Sequence, residues 1–116
     1  MAGTAKQGLM VTRVVHHKAR AGKEARFLEM MRAVRAAWGK QLPEISVKLY
    51  RSATAVRGEY IALVSLPAEH LHEFYDWTNA ALEREFGQEQ AETFLTEYYG
   101  CLEESRQVAV VTDADD

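Results

Sequence analysis

The chain predicts an α+β protein of the ferredoxin-like type: two β-α-β units folded into one four-stranded antiparallel sheet, with both main helices on one face. Three observations in its 116 residues point there. Strand-like and helix-like hydrophobic periods follow one another as strand, helix, strand, strand, helix, strand, with an extra helix before the last strand. The third and fourth strands are apolar on both of their faces, which a single layer of helices cannot cover. Charge divides between the halves, net +9 as far as Arg57 and −12 from Gly58 onward. The split places a basic first helix beside an acidic second one, with Arg26, Arg32 and Arg35 expected opposite Glu69, Glu73, Asp76 and Glu83.

Leu9 to His17 is rich in β-branched residues, and its alternation separates Met10, Thr12, Val14 and His16 from Leu9, Val11, Arg13, Val15 and His17. After a loop at Ala19 to Gly22, the spacing of Phe27, Met30, Met31, Val34, Ala37 and Trp38 forms one helical stripe, which Gly39 is placed to end. Ile45, Val47 and Leu49 alternate with Ser46, Lys48 and Tyr50, the pattern of a half-polar strand. Tyr60 to Leu66 is apolar at nearly every position and reads as a strand buried on both faces. Pro67 then opens a second helix with Leu71, Phe74, Thr78, Ala81 and Leu82 inward, closing at Phe86 and Gly87. Ala91, Phe94, Leu95, Tyr98 and Leu102 repeat the spacing in a new register, a third helix from Gln88 that Gly100 can end. Val108 to Thr112 is the last strand.

With 47% hydrophobic and 27% charged residues, a chain of this length supports a single core. The expected organisation is a flexible N-terminus over 1–8, one domain over 9–112 and an acidic tail over 113–116. Met1 to Gly8 lacks the apolar stretch of a signal peptide, and no window approaches the roughly 20 apolar residues of a membrane span. The expected location is the cytoplasm, with no membrane partner. The lone Cys101 can close no internal disulfide and reads as a packing residue.

On the last two strands Tyr60, Ala62, Val64, Leu66, Val108 and Val110 lie on one side, and Ile61, Leu63, Ala109 and Val111 on the other. Helices meet one side only. Leaving the other in water forgoes roughly 1.5 to 3 kcal/mol for each large side chain. A homodimer is therefore expected.

Element order, the start of the first helix at Ala21, Gly22, Lys23 and Glu24 followed by Phe27, and the extra helix before the last strand resemble the dimeric α+β barrel superfamily. The resemblance spans about residues 9 to 112. It implies two ferredoxin-like subunits with their sheets face to face around a shared barrel. Cofactor-independent monooxygenases of polyketide quinones, haem-degrading monooxygenases, lactone isomerases, stress-induced proteins and ligand-sensing domains share this architecture, so fold alone does not select a reaction.

If Met10, Thr12, Val14 and His16 face the helices, Arg13 and His17 point into the barrel, joined by Lys48 and Tyr50. That describes a mostly apolar cavity with a few convergent polar groups, the usual make-up of a small-molecule site. A guanidinium there needs an anionic partner: Glu59, another carboxylate, or an acidic or enolic ligand. The bland alternative is a salt bridge at a strand or dimer edge. His17, with an ordinary pKa of about 6.5, is the candidate proton carrier, or else a solvated strand-end histidine. Trp77 and Tyr98 are candidate walls of the substrate site, against the alternative that both are core.

His16 and His17 point oppositely along a strand, and His70 and His72 lie on opposite sides of a helix, so neither pair chelates a metal. His70 and Glu73 read as a surface pair at a helix start. Haem-degrading relatives carry an Asn on the first strand, and this chain has none between Leu9 and Lys18. Walker, dinucleotide-glycine, HExxH and GxSxG motifs are absent. Nucleic acid is not expected as a partner, because only Tyr60 offers a stacking ring on the third strand and the chain is acidic. The resulting expectation is a small-molecule-binding barrel, either a cofactor-independent monooxygenase or isomerase, or a non-catalytic ligand-binding or protein-interaction module.

Overall fold

The structure is a computed structural model that describes residues 9–53 and 57–114. The N-terminal segment over 1–8 and the last two residues of the acidic tail lie outside the described residues. Strands β1 (Met10–Ala19), β2 (Ser46–Arg51), β3 (Glu59–Pro67) and β4 (Leu102–Val111) form one sheet in the order β2-β3-β1-β4. Every neighbouring pair is antiparallel, the ferredoxin-like arrangement. Helices α1 (Glu24–Gln41), α2 (Phe74–Phe86) and α3 (Gln88–Gly100) supply the second layer.

The helical stripes bury the residues their spacing predicts: Phe27, Met30, Met31, Val34 and Ala37 from α1, and Phe74, Thr78, Ala81 and Leu82 from α2. Several boundaries differ, among them these three. Pro67 ends β3 instead of opening a helix; a 3-10 turn at Ala68–His70 follows, and α2 starts only at Phe74, so Leu71 lies outside it. Gly39 sits inside α1, which runs on to Gln41 with Leu42 buried beyond it. β4 is ten residues long and begins at Leu102, which the periodicity assigned to α3. Gly87 does separate the two C-terminal helices, at φ +86°, a conformation that side chains rarely adopt.

Register decides which side of each strand meets the helices. Val11, Arg13, Val15 and His17 pair with Leu66, Val64, Ala62 and Tyr60. These β3 residues are its inward, buried set, so cross-strand pairing carries Arg13 and His17 inward with them. The expectation that both point away from the helices is thereby reversed. On β2, Val47 and Leu49 share this face, whereas Lys48 and Tyr50 pair with Leu63 and Ile61 on the open one.

The predicted charge pairing is also corrected. Arg26 binds Glu97 on α3 at 2.6 Å and also meets Glu29, while Lys40 reaches Glu85 at 3.3 Å. The basic helix is thus tied to both acidic helices, at the ends of long side chains and through partners other than those predicted.

Candidate functional site

Between the sheet and the helices lies a cavity of about 80 Å³. Its floor is Arg13, Val15 and His17 of β1 with Ala62 and Val64 of β3; its walls come from all three helices. Arg13 is 6% exposed, and its guanidinium carbon sits 4.1 Å over the Phe74 ring and 5.3 Å from that of Tyr75. Its Nε donates to Gln107 Oε1 at 2.8 Å, and a terminal nitrogen donates to the Tyr75 hydroxyl at 3.1 Å. No carboxylate among the described residues lies within 4 Å of it. The expected Glu59 partner instead stands 3.9 Å from His16 on the other face. A buried cation thus relies on two neutral acceptors and aromatic faces, which offset desolvation less completely than an anion would.

His17, also 6% exposed, has Nδ1 2.9 Å from the Ser105 hydroxyl and its ring 5.5 Å from that of Phe27. Burial first, then the positive potential of His16 and Arg13, lowers its pKa to about 4. The imidazole is therefore neutral at pH 7.

Both polar partners of these residues depend on a bulge in β4. Val14 pairs with Ala109 but Val15 pairs with Gln107, so Val108 is the extra residue. The shift sets Gln107 opposite Val15 and Ser105 opposite His17. Unbroken pairing would turn Val108 and Arg106 inward instead, setting a second cation opposite His17. Bulges commonly re-aim side chains in this way.

Tyr98 lines the cavity, buried against Phe27, and burial pushes its phenol well above the usual range. Tyr99, about half exposed, also lines it, and partial burial and Tyr75 raise its pKa. Trp77 does not line it: its indole stacks on His70 at 4.0 Å and packs at the edge of the core. His70 also meets Glu73 at 3.1 Å, the expected surface pair. Trp38 takes the wall position instead, with an indole nitrogen that is buried and has no hydrogen-bond partner. Lys48 and Tyr50 are on the opposite face of the sheet and cannot reach the cavity. Tyr75, Asn79 and Gln107 complete the polar lining and its support. Spacing held a signal for the first two: four residues apart, they occupy one edge of α2 beside its inward stripe. No signal announced Gln107, because a bulge is not visible in alternation.

Among the described residues no cluster of three metal-ligating side chains occurs, and no helix is long and apolar enough to cross a membrane.

Solved structures share this fold. SnoaB of Streptomyces nogalater, a cofactor-independent oxygenase, is 18% identical, with 90% of this chain and 93% of that one aligned at a TM-score of 0.60. A protein of Bordetella bronchiseptica provisionally named an antibiotic biosynthesis monooxygenase is 17% identical over 91% of this chain and 98% of its own, at 0.64. A NIPSNAP family protein of Agrobacterium tumefaciens is 14% identical over 92% and 88%, at 0.66. The chain shares a ferredoxin-like fold with these solved structures. Neither a protein-family model nor a curated protein matches its sequence.

Proposed function

We propose that this protein binds a small, partly apolar, enolic or anionic molecule between its helices and its sheet, as a homodimer closed over the open sheet face. In its enzymatic form it is a cofactor-independent monooxygenase or isomerase. The observation that carries this reading is Arg13, a buried guanidinium in an aromatic-walled cavity with no carboxylate among the described residues to neutralise it. An enolate or carboxylate oxygen of the ligand supplies the missing charge.

His17 is the proton carrier. When Nδ1–H donates to Ser105 Oγ, Nε2 keeps a lone pair and can take a proton from an enolic hydroxyl. Deprotonation in the empty cavity is opposed by the low basicity of the imidazole. Once the product oxyanion rests on Arg13, its negative charge favours imidazolium, and acid and base are better matched. Tyr98 and Trp38 form walls. The resemblance to SnoaB in fold supports the oxygenase form, with molecular oxygen as co-reactant.

A non-catalytic ligand-binding or protein-interaction module is the second reading, favoured by the small volume of the cavity and the weak basicity of His17. Oxygen uptake with a panel of polycyclic quinols, and turnover of a lactone panel, separate the two. Consumption that falls at least about a hundredfold in folded Arg13→Gln and His17→Gln variants is expected. Absence of turnover on every panel member sinks the enzymatic form.

A further inference from the structure

Tyr75 stands in an unusual relation to the buried cation. Its side chain is on the exposed edge of α2, and the residue is 56% exposed, yet its hydroxyl is the acceptor at 3.1 Å for a guanidinium that is otherwise shut away. The other acceptor, Gln107, approaches Nε from β4, so the two bonds come from different elements of the fold. Beyond Tyr75 lies an open groove of about 510 Å³, which Tyr75, Asn79, Tyr99 and Ser105 share with the inner cavity. Tyr75 therefore stands between solvent and the charge. The groove's own acids are met elsewhere, Glu103 by Lys18 at 3.5 Å and Glu104 by Arg106 at 2.6 Å.

We propose that the Tyr75 hydroxyl is a built-in stand-in for the ligand, occupying the Arg13 donor that a small aromatic carboxylate or enolate takes, and that binding swings the tyrosine into the groove. The inference rests on the reading of the cavity as the ligand site and adds an entry route and a competitor. A neutral phenol is a weaker acceptor than an oxyanion, so the exchange favours anionic over neutral ligands of equal shape. A half-exposed side chain changes rotamer readily, and its departure joins the inner space, too small for a ring with substituents, to the groove outside.

Benzoate and its neutral isostere benzamide, titrated calorimetrically into the full chain, test this. Benzoate is expected to bind at least about tenfold more tightly than benzamide, and Tyr75→Phe, which keeps the ring, to tighten benzoate by about threefold to tenfold. Arg13→Gln, checked for folding by its thermal transition, is expected to abolish the benzoate preference. Unchanged or weaker benzoate binding in Tyr75→Phe overturns the stand-in role while leaving an anion site at Arg13. Equal affinity for benzoate and benzamide, or no benzoate binding at all, overturns the proposal. Because the quinol and lactone assays need no benzoate, turnover there together with failure here leaves the functional reading intact and removes this one alone.

Discussion

On the helix-covered face of the sheet Leu66 is fully buried in one cluster with Phe74 and Ala81, whereas on the open face Tyr50 is 51% exposed and Val111 47%. The same strands build both faces, so strand propensity does not explain the contrast. Charge handling differs as well. On the open face several ionisable groups have carboxylate neighbours: Lys18 meets Glu103, Arg106 meets Glu104, and His16 stands 3.9 Å from both Glu59 and Glu104. Under the helices Arg13 has no such partner among the described residues and His17 is held neutral. A buried, unneutralised cation is costly for folding, and such departures from ordinary core composition mark sites of function. The open face shows the opposite deficit, apolar area without a cover, which suits a second subunit.

The sharpest way to break this contrast is to truncate one large side chain on each face. Phe27→Ala is expected to destabilise by about 3 to 5 kcal/mol in urea unfolding, at any protein concentration. Leu63→Ala, on the open face, is expected to cost under about 1.5 kcal/mol in dilute solution, with a larger loss at high concentration if a second copy covers it. Equal, concentration-independent losses at both positions end the distinction between covered and open faces.

Acid probes the covered face next. His17 has a folded pKa of about 4 against an ordinary 6.5, so between these values the unfolded chain binds the proton and the folded one resists it. Stability is therefore complete above pH 6.5 and falls as the pH drops toward 4, by on the order of 2 to 3 kcal/mol from this residue. Comparing unfolding of the parent and His17→Gln at pH 7 and 4.5 isolates that share; parallel losses in both remove His17 as the cause. The smallest effect is expected at the helix surface. Arg26→Ala breaks exposed contacts with Glu97 and Glu29 and should lower Tm by about 2 °C or less, a difference that fades in high salt. A larger, salt-insensitive drop assigns Arg26 a packing role.

Much of the fold was legible because periodicity reports burial directly. The inward stripes of α1 and α2 and the two apolar sets of β3 stand as alternation placed them, whereas on β4 the bulge parts Val108 from Val110; element order specified the sheet. Helix starts were less legible. Pro67 can begin a helix or end a strand, and only the pairing of Met10 with Pro67 selects the second. Of the site, Arg13, His17 and Tyr98 come together, while Trp77 and the pair Lys48 and Tyr50 fall elsewhere. Trp38 and Trp77 both sit on apolar helical stripes, and nothing local says which indole meets a void.

Alternation along one strand by itself determined that Arg13 and His17 share a face with Val11 and Val15, and that His16 belongs to the other. Which of those faces the helices cover was decided by register, since pairing with Tyr60, Ala62, Val64 and Leu66 draws every odd-numbered residue of β1 inward. The bulge at Val108 then chose Gln107 and Ser105 as their partners. A strand's own sequence holds its period of two but not its phase relative to its neighbours, because phase is a property of the hydrogen-bonded pair.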